Sequence, residues 1–128
     1  MQKTIESRED IVLLVNSFYD KVKKDAIIGH FFSEVVEVDW PIHLPKMYDF
    51  WESIILGSGD FKGNPMAKHM QLNSKRRLKP EHFEQWLMLW QHTIEELFVG
   101  EKAEDTKQRT RNIAHVIAYK ISQRNNLG

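Results

Sequence analysis

The chain has no cysteine in its 128 residues, which excludes disulfides, thiolate zinc sites, iron–sulfur clusters and cysteine nucleophiles together. Histidine is left as the main soft ligand, and the reducing cytoplasm is the expected compartment. Net charge is absent too: 18 Lys and Arg stand against 18 Asp and Glu. Phosphate recognition needs a basic excess or a strong basic stripe, so no nucleic-acid partner is expected. The basic cluster Lys75-Arg76-Arg77-Leu78-Lys79 has no interleaved aromatics and reads as a solvated loop. No stretch is long and apolar enough to span a bilayer, and the N-terminal MQKTIESRED is charged without an apolar core, so it is no signal peptide. No membrane partner is expected. HExxH and an i, i+4 histidine pair are missing as well, which argues against a zinc hydrolase. No flavin or nicotinamide fingerprint is present.

What is present is helical periodicity. A length of 128 residues with 41% hydrophobic content fits one domain, 1–128, with a sizeable core. Ser7 and Asp10 form a capping-box pattern, and Ile11, Leu14, Val15, Phe18 and Val22 follow as one buried stripe, predicting a helix over about 8–24. Ile27 to Phe32 reads as a helical turn and corner ending at Phe32. A second long helix is marked by Met47, Phe50, Trp51, Ile54 and Ile55; Pro45 is expected in its first turn, His43 at its entrance and Gly57 at its end. The turn-rich run 57–65 then leads to a short helix opened by Pro65 and carrying His69. Pro80 opens a third long helix, with Phe83, Trp86, Leu87, Trp90, Ile94, Leu97 and Phe98 inward and Gly100 at its end. The fourth is expected over about 101–122, its stripe formed by Ala103, Thr106, Thr110, Ile113, Ile117 and Ile121. No strand or internal repeat competes with an all-α reading.

Taken singly, the polar and aromatic residues of these helices have ordinary explanations. Trp51, Trp86 and Trp90 at helical spacing are more often core than cofactor contacts, and a tyrosine such as Tyr19 usually buries its ring and sends its hydroxyl to water or a carbonyl. His43 and His69 individually read as satisfied polar residues. Their order along the chain carries more. FYDKVKKD (18–25), HLPKMYDFW (43–51), GSGDFKGNPMAKHMQL (57–72) and HFEQWLMLW (82–90) together resemble a truncated haemoglobin of group III over nearly the whole length. The third piece is the most specific. The glycine pairs that punctuate the other truncated groups are missing.

The resemblance implies a truncated globin-like fold, two antiparallel helix pairs sandwiching a haem b, with the short helix supplying His69 as proximal iron ligand. It implies Tyr19, His43 and Trp86 around the distal ligand, and Phe32, Lys46, Met47, Phe50, Phe61, Met66 and Leu72 at the haem, Lys46 near a propionate. His43 could swing outward as a gate, point inward as a donor, or ligate iron. The chemistry fits: haem is a large apolar plate with two carboxylates and needs apolar walls, one nitrogen ligand and a basic or aqueous edge. The implied function is binding of dioxygen and other diatomic gases, with slow release because two donors face the bound ligand. Nitric oxide dioxygenation or peroxidase-like chemistry is the enzymatic alternative; the first would need a separate reductase, since nothing in this chain returns an electron. A haem-free helical interaction module is the third reading.

Overall fold

The computed structural model describes residues 2–35, 37–57 and 63–126. Five α-helices run in the order α1 (Arg8–Lys24), α2 (Trp40–Ile55), α3 (Pro65–Lys75), α4 (Pro80–Leu97) and α5 (Glu101–Asn126), with a π-helical turn at Phe31–Val35 before α2. Among the described residues the only extended pairing is an isolated bridge between Lys3 and Phe98. It straps the N-terminus across the α4–α5 corner, where Val99 N donates to the Lys3 carbonyl at 2.9 Å. Ile5 is buried beneath that strap. Among the described residues no helix is long and apolar enough to cross a membrane.

The first helix forms where its capping chemistry and apolar stripe agree. The Asp10 carboxylate accepts from the backbone N–H of Glu6 at 2.8 Å and of Ser7 at 3.2 Å, and pairs with Lys3 Nζ at 2.6 Å. Burial alone would push this carboxyl up, but Lys3 and the two amides outweigh it and hold it below the usual range. Ile11, Leu14, Val15, Phe18 and Val22 are all buried, as the spacing requires. Beyond α1 the Asp25 side chain caps a tight turn by accepting from the amides of Ile27 and Ile28. A Cβ at Gly29 would lie 2.5 Å from the Asp25 carbonyl oxygen, so the turn needs glycine there. The corner does not end at Phe32: it continues through the π-helical turn to Val35.

Helix α2 starts earlier than Pro45 suggests. Asp39 is its N-cap, and the Asp39 carbonyl accepts from Ile42 N at 3.1 Å and His43 N at 2.8 Å. Pro41 therefore sits in the first turn, where a missing N–H costs nothing, whereas Pro45 lies inside the helix and deprives the Pro41 carbonyl of its partner. Both prolines are exposed, so water can satisfy that carbonyl. Asn64 caps α3 by accepting from Ala67 N at 3.1 Å, with Pro65 following as the first helical residue. At the other end α5 runs to Asn126, beyond the expected stop near Ser122, and Ala114 is buried where Ile113 is only half-buried. Helix α1 packs on α2 and α4, α4 packs on α5, and α3 rests on α5. Trp90, wholly buried, ties α4 to α5 by donating its indole N–H to Thr110 Oγ1 at 2.9 Å.

Candidate functional site

Two groups of residues carry unspent chemistry. The first gathers where α1, the π-helical turn and α2 meet. Tyr19, on the buried face of α1, lies edge-on to Phe32 at 6.0 Å, Trp40 at 5.4 Å and His43 at 5.5 Å between ring centroids. Its hydroxyl is 3.4 Å from His43 Nε2. Because α2 begins at Trp40, His43 stands one turn further along and its ring faces the Tyr19 hydroxyl. Burial, and then the Lys46 charge one turn away, push the His43 pKa down, so the ring stays neutral. Burial pushes the Tyr19 phenol up and keeps it an O–H donor.

Phe18 links this group to a tryptophan stack. Its ring meets Tyr19 at 5.1 Å on one side and Trp86 at 5.5 Å and Trp90 at 5.0 Å on the other. Trp51 stacks on Trp90 at 4.3 Å. Trp86 and Trp90 lie one helical turn apart and nearly parallel, yet their indoles differ in use. Trp90 spends its N–H on Thr110, whereas Trp86 has no hydrogen-bond partner among the described residues. Among the described residues no buried side-chain nitrogen or oxygen lacks a partner, so the Trp86 nitrogen is accessible rather than sealed in the core.

The second group is His69 on α3. Met66, His69, Met70 and Asn73 follow one another at helical spacing, and all face inward: Asn73 is buried and the two methionines pack on the core. Nδ1–H of His69 donates to the Pro65 carbonyl at 2.7 Å. A carbonyl can only accept, so the proton is on Nδ1 and the Nε2 lone pair is free. Burial lowers the His69 pKa against the opposing pull of that carbonyl, which favours the neutral imidazole. A neutral ring with one nitrogen orienting it and the other free is the arrangement a metal-ligating histidine adopts. Among the described residues no group of three or more His, Cys, Asp or Glu could hold a bare metal ion.

Of the other residues singled out by sequence, Phe32, Met47, Phe50, Met66 and Leu72 are half-buried and pack against the core, and Lys46 is exposed at the surface of α2. Phe61 lies outside the described residues. Trp40 was missed. It touches Tyr19, Phe32 and His43, and the Lys23 ammonium sits 4.1 Å from its ring centroid. The signal for it was Asp39 followed by Pro41, an N-cap and an early proline that start the helix five residues before Pro45.

This chain matches the family model of the bacterial-like globins over residues 3–120. It is 32% identical over 111 residues to the group 3 truncated hemoglobin ctb of Campylobacter jejuni, covering 84% of this chain and 85% of that protein. Its fold superposes on the crystal structure of a group III truncated hemoglobin from Campylobacter jejuni with a TM-score of 0.82 at 30% identity, over 94% of this chain and 95% of that one. The chain is therefore a member of the bacterial-like globin family, a truncated haemoglobin of group III.

Proposed function

We propose that this globin binds haem b through His69 and uses it to hold dioxygen and other diatomic gases. The observation that carries the reading is the His69 imidazole, half-buried, neutral, oriented by the Pro65 carbonyl and left with a free Nε2. The donor set fits the group: one histidine nitrogen, apolar neighbours in Met66, Met70 and Leu72, and the exposed Lys46 ammonium available to a propionate at the edge. When bound, haem with a single histidine ligand supplies an iron position open to small gases.

The chain's own residues set what happens to such a gas. Tyr19 Oη and Trp86 Nε1 are the two donors that can meet a partly negative ligand, and Phe18, Phe32 and Trp40 pack around them with apolar surface that strengthens each hydrogen bond. His43, whose ring faces the Tyr19 hydroxyl, serves best by donating from Nε2–H to Tyr19 Oη, which orients the phenol and leaves its single O–H for the ligand. The carbonyl partner of His69 is a weaker push on electron density than a carboxylate, which places peroxidase-like chemistry below oxygen binding. Nitric oxide dioxygenation ranks between them, with a separate reductase returning the electron. The cysteine-free chain suits a reducing cytoplasm. Displacement of dioxygen by excess carbon monoxide in the stopped-flow tests the reading. Release should be slow, because two donors hold the ligand; release as fast as from a pocket without donors would contradict it. Sustained nitrate formation from nitric oxide with NADH and a cell extract would instead make the protein an enzyme first.

A further inference from the structure

The basic run at 75–79 exposes all four of its cations, as a solvated loop should, but it is also tied into the fold. Lys75 is the last residue of α3, Arg76 its C-cap, and Leu78 is buried and anchors the connection to α4. Behind it the buried Asn73 donates from Nδ2 to Asn125 Oδ1 on α5 at 2.9 Å, while Asn73 Oδ1 accepts from Leu78 N at 2.8 Å. These bonds hold the end of α3 against the end of α5. They also form the floor of a surface concavity of about 290 Å³ whose rim carries Lys75, Arg76, Arg77 and Arg124.

Among the described residues no carboxylate lines this concavity. Arg76 is shared with His30 Nδ1 at 2.8 Å and with Glu34 at 3.3 Å. Lys75, Arg77 and Arg124 have no hydrogen bond or ion pair from their side chains among the described residues. Cations at helix C-termini complement the helix dipole, which is the ordinary reason to find them there, but each terminus carries only about half a negative charge. Glu34 and the two termini of α3 and α5 together offset about two of the four cations, so roughly two positive charges face one small depression. All four cations line one concavity together with the Asn73 and Asn125 amides, and its volume of about 290 Å³ suits a compact anion.

We infer that this concavity is a binding site for a compact polyphosphate anion, held by Arg77 and Arg124 with Lys75 and Arg76 completing its basic lining. The site is separate from the Tyr19–His43 group and does not depend on haem. Titration of the full-length protein with sodium tripolyphosphate at constant ionic strength, followed by calorimetry and backbone amide NMR, tests it. Shifts should centre on residues 73–77 and 124–125. The double variant R77A/R124A should bind at least about tenfold more weakly. Both side chains are exposed, so the variant keeps its core, and an unchanged thermal melt checks this. Lys102→Ala, at the far end of α5, should bind like the parent. Absence of binding, shifts scattered over other basic residues, or equal weakening in Lys102→Ala would overturn the assignment.

Discussion

Replacing His69 with glycine should abolish stable haem retention, and free imidazole should restore it. The geometry makes the effect large because His69 is placed by two separate features. Met66 and Met70 fix the inward face of α3, and the Pro65 carbonyl fixes the ring. Loss of an outer partner of a ligating histidine typically costs about ten- to a hundredfold in affinity; loss of the ligand itself should cost more. Glycine leaves a void where the imidazole stood, and α3 keeps its Asn64 cap and its Asn73–Asn125 bonds, so the helix should persist around that void. A midhelix glycine costs about 1 kcal/mol relative to alanine, too little to unfold a stable domain. Absorption spectra with and without imidazole decide the matter. An unchanged five-coordinate ferrous spectrum in the glycine variant would move the ligand to another residue.

The second large effect is expected at the distal donors. Tyr19→Phe and Trp86→Phe should each speed dioxygen release, by about ten- to a hundredfold for a bond to a charged acceptor. Tyr19→Phe keeps the ring packed against Phe18, Phe32 and Trp40 and removes only the hydroxyl. It also removes the neighbour that His43 Nε2 meets at 3.4 Å, so part of the change will come through His43. The double variant should therefore fall short of the product of the two singles, since both donors serve one ligand. His43→Ala should matter less than Tyr19→Phe if the imidazole acts by orienting the phenol. Trp90→Phe is the informative control: it deletes the bond to Thr110 in the core and should lower stability while leaving release rates nearly unchanged. If neither Tyr19→Phe nor Trp86→Phe alters the rate, the distal assignment fails.

Much of this architecture was legible locally. The stripe from Ile11 to Val22, the pairing of Ser7 with Asp10, and the Asn64-Pro65 entry to α3 each settle a helix through residues three or four apart. The start of α2 was not, because Pro45 is the louder signal and Asp39 has to be weighed against it through a carbonyl that accepts from Ile42 and His43. Trp86 and Trp90 cannot be told apart by spacing: one turn separates them on one helix, and only Thr110 on α5 shows which is core. Leu78 and Asn73 were hidden for the same reason. The bond from Asn73 to Asn125 joins residues 52 apart, and no local pattern in a run of lysines and arginines announces a floor built from another helix. The helical placement of His69 could be read from its position after Pro65, but the tautomer that leaves its Nε2 without a hydrogen needed the carbonyl's position.

Haemin titration of the full-length protein, followed by reduction and exposure to carbon monoxide, tests the central claim most directly. A saturable one-to-one Soret band that shifts on reduction, and again on carbon monoxide addition, is the result expected from a half-buried neutral His69 with a free Nε2. A preparation that stays colourless, or takes up haemin only non-stoichiometrically with no shift on carbon monoxide, would contradict it and leave a helical module without the cofactor.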